Sequence, residues 1–196
     1  MKKRTAKLER KTLETEIKVA LNLDGEGKAE ISTGIGFLDH LFSTLAFHSR
    51  FDLKLTCAGD LKVDDHHTAE DCAIALGKAI DLALGERIGI ARFGYAYAPL
   101  DEALARAVVD LSGRPFADIN LSLGRESLGA LNCENIPHIL RSFAASALIT
   151  LHLEILKGEN DHHKAEAAFK ALALALKQSF KPEREESIAS TKGMLK

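Results

Sequence analysis

The sequence predicts an α+β protein made of two similar halves in tandem, residues 1–90 and 91–196. A strand, strand, helix, strand, helix order runs through the first half and returns, much the same, in the second. Residues 65–70, Asp-His-His-Thr-Ala-Glu, recur 96 positions later as Asp-His-His-Lys-Ala-Glu, with five of six letters unchanged. Because each half mixes hairpins with crossover helices, we expect mostly antiparallel sheets, each with its helices on one face.

The elements of the first half follow from hydrophobic periodicity. Alternation at Ile17, Val19 and Leu21 is typical of a strand, and an apolar stripe every three or four residues indicates a helix. A Gly-rich turn at 24–27 separates the first two strands. The predicted elements are strands at 17–21, near 31 and at 51–57, with helices at 37–47 and 65–84.

The second half shows the same signals. Its predicted elements are strands at 93–97, 103–111, 116–123 and 150–156, with helices at 135–147 and 161–180. Pro182 ends the last helix. We expect the charged tail that follows to be mobile or docked on a neighbouring copy.

Composition bounds the class of protein. The chain has 196 residues, of which 46% are hydrophobic and 28% charged, with a net charge of -2. These values are typical of a soluble globular protein and indicate neither a nucleic-acid nor a membrane partner. The basic start is followed by polar residues, so no signal peptide is predicted. Three cysteines without a C-x-x-C pair indicate reduced thiols in a cytoplasmic protein.

The repeated hexapeptide suggests a duplicated metal site. On a helix His66 lies over Glu70, whereas His67 points about 100° away. Adjacent histidines on one helix cannot easily bind one metal. The economical arrangement is two metals, each bound by the first His and Glu of one copy and the second His of the other. The alternative is two helix starts capped by Asp65 and Asp161, which leaves the repeated His and Glu unexplained.

Two further histidines align between the halves. His40 precedes His66 by 26 residues and His138 precedes His162 by 24, each at the start of a predicted helix. We expect two four-ligand sets, namely His40, His67, His162 and Glu166, and His66, Glu70, His138 and His163. These ligands suit octahedral Mn(II) or Fe(II) as well as zinc. His152, on a strand, is interpreted as a hydrogen-bonded structural residue.

Five blocks around these residues resemble a known family. They are 33–40 (TGIGFLDH), 64–71 (DDHHTAED), 110–115 (DLSGRP), 160–171 (NDHHKAEAAFKA) and 190–193 (STKG). In sequence and order they are similar to imidazoleglycerol-phosphate dehydratases, from about residue 14 to residue 192. The resemblance implies removal of water from D-erythro-imidazole glycerol phosphate to give imidazole acetol phosphate, a step of histidine biosynthesis that uses manganese, two ions per active site. It also implies two similar α+β halves of the ferredoxin-like or ribosomal protein S5 domain 2-like kind, and 24 subunits with active sites between them.

The resemblance also implies residue roles. Glu14 matches the family's catalytic base, with Glu16 as a rival that strand alternation alone does not exclude. The substrate and phosphate ligands are then His48, Arg92, Arg114, Lys170, Ser190 and Lys192. Lys170 is four residues from Glu166, which independently places it near the metals. The sequence departs from the family at Pro137, where an acid is frequent, and at Leu148, where glycine is common.

The reaction accounts for a dinuclear site. The carbon that loses its proton has no adjacent carbonyl, so an electron sink is needed, and cations at both ring nitrogens favour an imidazolate that can expel the hydroxyl. Two other classes use the same ligands: a dinuclear metallohydrolase and a noncatalytic metal-storage protein. The storage protein would need neither Glu14 nor the arginines, and the hydrolase would hydrolyse phosphate esters in place of dehydration.

Overall fold

The first sheet is built from the N-terminal part of the chain. The computed structural model describes residues 3–183, 187–193 and 195. Its first elements are β1 (Thr5–Lys11), β2 (Thr15–Asn22), β3 (Ala29–Ser32), α1 (Gly36–Ser49), β4 (Asp52–Gly59) and α2 (His66–Leu84). The strand order is β1-β2-β4-β3; β2 is antiparallel to both β1 and β4, and β3 is parallel to β4 through the crossover helix α1.

The second sheet repeats this plan. Its elements are β5 (Phe93–Leu100), β6 (Ala103–Asp110), β7 (Phe116–Asn120), β8 (Ser127–Leu128), β9 (Leu131–Asn132), α3 (Asn135–Ser146), β10 (Thr150–Lys157) and α4 (Asp161–Ser179). The order β5-β6-β10-β7 again combines two antiparallel pairings with one parallel pairing. The predicted α+β fold of two similar, mostly antiparallel sheets is confirmed.

The four helices lie between the two sheets. In β2 the side chains of Ile17, Val19 and Leu21 are buried, while Glu16 and Lys18 on the other face are exposed. Helices α1 and α2 cover the first sheet, and α3 and α4 cover the second. The pairs α1/α4 and α2/α3 then pack against each other and close one continuous core. Each sheet therefore has its helices on one face, as predicted.

Several details differ from the sequence prediction. Strand β1 was not predicted, because its alternating exposed side chains make residues 5–11 look merely polar. The turn at 24–27 does not form a β2–β3 hairpin, since β4 lies between those strands. The third strand of the second half ends at Asn120, and the small β8–β9 hairpin follows it. In the described part of the tail, the carbonyl oxygen of Ser187 accepts a backbone hydrogen bond from Gly89 (3.1 Å), and docking of the tail on a neighbouring copy stays a prediction.

Within the described part of the chain, no helix is both long and apolar enough to cross a membrane. The three cysteines lie within the described part of the chain and are free, with Cys72 and Cys133 buried and Cys57 half-buried.

Gly77 permits the close approach of α2 and α3. A Cβ at this position would lie 2.6 Å from the Phe143 carbonyl oxygen and 2.9 Å from the Ala147 backbone nitrogen. We expect Gly77→Ala to lower the thermal unfolding midpoint, since about 1–3 kcal/mol of overpacking outweighs a helix-propensity gain of about 1 kcal/mol. Gly36→Ala is the matched control, because a Cβ there meets nothing within 4 Å. An unchanged midpoint for Gly77→Ala would contradict the close packing of the two helices.

Candidate metal centre

The first candidate site lies where α1 and α4 begin side by side. His40 of α1 and His162 and Glu166 of α4 have one ligand atom each within 4.8 Å of the others. Nε2 of His40 lies 3.2 Å from Oε2 of Glu166, and Nε2 of His162 lies 3.4 Å from the same oxygen. The i,i+4 spacing on α4 brings His162 and Glu166 to one face, and the α1/α4 packing adds His40. Three ligands of one predicted set therefore meet within one chain.

The second candidate site repeats this arrangement at the start of α2 and α3. His66, Glu70 and His138 also have ligand atoms within 4.8 Å of one another. Nε2 of His138 lies 3.0 Å from Oε1 of Glu70, and Nε2 of His66 lies 3.8 Å from Oε2. The rings of His66 and His138 stack with centroids 4.8 Å apart. Three ligands of the other predicted set are thus brought together.

The chemistry of both clusters suits a divalent cation. Nε2 of His138 is buried and has no hydrogen-bond partner among the described residues, because Glu70 lies close but at an unsuitable angle. Nδ1 of His66 bonds Oδ1 of Asn135 at 2.9 Å, which leaves Nε2 of His66 for a ligand. Two imidazoles and one carboxylate form a donor set that suits manganese, iron or zinc. The residues present therefore fit a metal in each cluster.

Lys170 and His48 surround the first cluster. Burial raises the pKa of Glu166, but hydrogen bonds from Lys170 (2.7 Å) and His40 outweigh it and lower the pKa to about 2. The carboxylate is therefore ionised at neutral pH, as a metal ligand must be. Burial lowers the pKa of His48, and the positive charge of Lys170 lowers it further. The structure thus brings two predicted substrate residues close to this cluster.

His67 and His163, the second histidines of the two motifs, join neither cluster within their own chain. Nδ1 of His67 bonds Asp60 at 2.9 Å, and its Nε2 lies 3.7 Å from Glu14. Nδ1 of His163 bonds Glu102 at 2.7 Å, and its Nε2 lies 3.9 Å from Asp101. The carboxylate hydrogen bonds raise the pKa of both histidines. In one chain each predicted four-ligand set is therefore three-quarters assembled.

The aspartates of the duplicated motif bind one segment rather than capping their helices. Asp65 is buried and accepts hydrogen bonds from the backbone (2.7 Å) and side chain (2.6 Å) of Asn132. Asp161 is buried and accepts from the backbone nitrogens of Gly124 (2.8 Å) and Arg125 (2.6 Å). The α4 cap is instead Asn160, which bonds the His162 nitrogen. Residues 124–132, called here the strap, thus connect the starts of both motif helices.

The remaining predicted phosphate ligands lie at the far end of the second sheet. Arg92 precedes β5 and is bound to Asp110 (2.7 Å) at the end of β6, whereas Glu102 and His163 lie at the opposite, hairpin end. An eight-residue strand spans roughly 25 Å. Arg92 also donates to the Ala189 carbonyl oxygen, which fixes the tail that carries Ser190 and Lys192. Exposed Arg114 follows β6 at this same end.

Comparison with known proteins decides the family. A family model described as imidazoleglycerol-phosphate dehydratase matches residues 33–176, well over half of the chain. The chain belongs to the imidazoleglycerol-phosphate dehydratase family. Over 98% of its length it is 52% identical to the Salinibacter ruber imidazoleglycerol-phosphate dehydratase, and it covers 96% of that relative.

Two other matches agree. The chain is 58% identical, over 98% of its length, to an imidazoleglycerol-phosphate dehydratase of Phytophthora nicotianae, but it spans only 42% of that longer relative. Among solved structures, the Staphylococcus aureus imidazoleglycerol-phosphate dehydratase matches with a TM-score of 0.82 and 33% identity, over 91% of this chain and 99% of the other.

The structure separates the two candidate bases that alternation left together. Glu14 lies in the β1–β2 turn, held by a bond from its backbone nitrogen to the Thr12 hydroxyl (3.1 Å), and faces His67. Glu16 lies on β2 and is paired with Lys11 at 2.7 Å, and that hydrogen bond lowers its pKa. Within this dehydratase family member, Glu14 is therefore the carboxylate beside a motif histidine.

The two departures from the family pattern have structural consequences that differ. Leu148 has φ of 52°, a left-handed conformation that glycine adopts without strain. Its carbonyl oxygen nevertheless accepts a hydrogen bond from buried Arg87 (2.8 Å), which holds this turn in place. Pro137 lies in the first turn of α3, where proline is tolerated, so His138 still reaches Glu70.

Sequence reasoning missed the groups that hold the motif histidines. Asp60, Glu102 and Asn135 are hydrogen-bonded to the Nδ1 atoms of His67, His163 and His66 respectively. In addition, Asp101 lies near Nε2 of His163, as Glu14 lies near Nε2 of His67. One signal could have found the last pair. Asp101 occupies the β5–β6 turn as Glu14 occupies the β1–β2 turn, but without a predicted β1 that correspondence was hidden.

Proposed function

We propose that this chain removes water from D-erythro-imidazole glycerol phosphate to give imidazole acetol phosphate in histidine biosynthesis, acting as a hydro-lyase. Membership of the dehydratase family supports this activity. The single observation that carries it is the pair of His-His-Glu clusters built by the duplicated motif on α2/α3 and α1/α4. A ring with two nitrogens is the kind of substrate that two such clusters can hold from both sides.

The complete site is shared between copies of the chain. His67 completes the His40, His162 and Glu166 set from a neighbouring copy, and His163 completes the His66, Glu70 and His138 set. This division is supported by the separation of Arg92 and Arg114 from His163, which lie at opposite ends of the second sheet within one chain. The assembly is a homo-oligomer of 24 subunits in the cytoplasm. Each subunit contributes both halves, residues 1–90 and 91–196.

An exposed apolar surface supports association between copies. The outer face of the second sheet carries large apolar side chains that are each at least 41% exposed. They are Phe93, Tyr95, Tyr97, Val108 and Phe116. Contiguous patches of this kind usually mark interfaces. The corresponding face of β1 and β2 in the first sheet is charged, with Lys7, Glu9 and Lys18 exposed.

Two manganese ions held by these sets would draw electron density from both ring nitrogens and so ease loss of the ring proton. The protein groups do the rest. The hydroxyl on the ring-bearing carbon leaves as water, taking up the proton that the ring has lost. Glu14 takes the proton from the neighbouring carbon and returns it to the ring. The resulting enol tautomerises to the ketone product. Glu14 is exposed and lies beside His67, so it can reach a substrate whose imidazole ring is held by the metal that His67 would bind.

Cationic side chains bind the phosphate and fix the substrate's direction. Arg92 and Arg114 lie at one end of the second sheet, and the tail bound by Arg92 brings Ser190 and Lys192 to it. Guanidinium groups suit phosphate oxygens because they donate two parallel hydrogen bonds. Lys170 and His48 act from the metal side, next to Glu166.

The first test is turnover by purified protein that has been freed of divalent ions with a chelator and titrated with Mn(II). We expect ketone product to rise from baseline and saturate near about two ions per chain. His138→Ala should lose activity, whereas His152→Ala, a histidine outside both clusters, should keep it. Protein that binds two ions but forms no ketone would overturn the proposal, and release of inorganic phosphate would instead identify a hydrolase.

A further inference from the structure

We propose that Asp60 and Glu102 are positioning residues that hold the rings of His67 and His163, so that each ring keeps Nε2 available to a metal. This inference rests on the proposed function, because it concerns how the second histidine of each motif is presented. Both histidines lie at the surface of the chain, with about a third of each side chain exposed. Without a fixed partner such rings would sample several rotamers.

The contact at His67 comes from the residue that follows β4. Oδ2 of Asp60 lies 2.9 Å from Nδ1 of His67. Oδ1 of Asp60 is buried and has no hydrogen-bond partner among the described residues. A buried carboxylate oxygen without a hydrogen-bond partner costs folding free energy, so the hydrogen bond to His67 is the contact that stabilises the Asp60 side chain in this position.

The contact at His163 comes from a different part of the fold. Oε2 of Glu102, in the β5–β6 turn, lies 2.7 Å from Nδ1 of His163. Its other oxygen accepts backbone hydrogen bonds from Asn160 (2.9 Å) and Glu159 (3.3 Å), just before α4. Glu102 is therefore held by three hydrogen bonds and is a fixed acceptor for Nδ1 of His163.

The two contacts cannot both be remnants of the duplication. Asp60 follows β4, whereas Glu102 lies in the β5–β6 turn, which corresponds to the β1–β2 turn of the first half. If the contact had only been inherited through the duplication, the carboxylate would lie at equivalent positions in the two halves. Here two different positions supply the same carboxylate to the same Nδ1 atom, which indicates that the contact itself is needed.

The chemical effect follows from imidazole tautomers. A carboxylate at Nδ1 holds the proton on that nitrogen and leaves the lone pair on Nε2. The carboxylate also makes Nε2 more basic and so a stronger metal ligand. Loss of a carboxylate of this kind typically weakens metal binding by about 10–100-fold. Glu14 and Asp101 lie 3.7 and 3.9 Å from the two Nε2 atoms, too far for a direct hydrogen bond that would occupy them.

The test compares Mn(II) affinity of chelator-treated, assembled protein with Asp60→Ala and Glu102→Ala variants. We expect each to bind Mn(II) about 10–100-fold more weakly at one of two sites. Asp60→Asn and Glu102→Gln should recover part of the loss, because an amide oxygen still accepts from Nδ1. The matched control is Glu30→Ala, which removes a carboxylate 2.6 Å from Lys54, outside both motifs and away from the apolar face of the second sheet, and should leave affinity unchanged.

A second readout distinguishes positioning from general stability. In nitrogen-15 spectra of histidine-labelled metal-free protein, Asp60→Ala should move the proton of His67 from Nδ1 toward Nε2, while the thermal midpoint changes little. If the wild type binds Mn(II) tightly and both alanine variants bind it with the same affinity as the wild type, this inference is overturned and the proposed function stays intact. Failure of the wild type to bind Mn(II) would remove both.

Discussion

Replacement of Glu14 by glutamine is expected to lower kcat by a factor of about 10²–10⁴ while two Mn(II) ions still bind. Glutamine keeps the size and hydrogen-bonding shape of the side chain but cannot accept a proton from carbon. Glu14 lies outside both three-residue clusters, and its backbone is held by Thr12. The loss should therefore fall on the chemical step rather than on metal content or assembly.

The neighbouring carboxylate provides a matched control. Glu16→Gln removes the same charge two residues away, from a side chain that is paired with Lys11 on the exposed face of β2. Steady-state kinetics should show near-normal kcat for this variant. If Glu16→Gln were the inactive variant, or if Glu14→Gln lost its metal, the assignment of Glu14 as the base would be wrong.

Two inactive variants are expected to restore activity when they assemble together. His67→Ala removes the ligand that we propose each chain gives to a neighbour, and Glu166→Ala removes a proposed ligand from the receiving cluster. Each variant alone should have almost no turnover. In mixed assemblies the intact His67 of one chain can serve the intact Glu166 cluster of another, so about one quarter of the sites recover under random mixing.

Co-expression with two different affinity tags, followed by tandem purification, would isolate the mixed assemblies for measurement of ketone formation. The control mixes Glu166→Ala with His40→Ala, whose defects lie in the same cluster. No cluster in that mixture contains all three residues, so no rescue is expected. Persistent inactivity of the His67→Ala and Glu166→Ala mixture, with both tags present, would refute a site shared between chains.

The fold was predictable wherever one face of an element is buried. The alternation of Ile17, Val19 and Leu21 indicated β2 because those side chains enter the core. Strand β1 lies at the sheet edge, and exposed Lys7, together with other polar residues, masks its pattern. In β1 only Ala6 and Leu8 pack against the core, and one small and one half-buried side chain give an alternation too weak for periodicity to detect.

The candidate site was predictable as far as helix geometry extends. The i,i+4 spacing of His162 and Glu166 indicated a shared face, and the aligned His40 lies beside them as expected. The same geometry indicated that His67 points away, but not toward which partner. Asp60 is seven residues from His67 in sequence and reaches it only because a loop returns from β4, a tertiary contact that no local pattern encodes.

The strap gives the molecule an asymmetry that a duplicated design would not have. Fourteen residues, 121–134, separate β7 from α3, whereas three residues separate β3 from α1. Because Asp65 and Asp161 both bind this segment, a first half isolated from the second would leave one buried carboxylate without its hydrogen-bond donors. The first half therefore depends on the second for the hydrogen-bond donors of Asp65, and expressed alone it would have to find them in water.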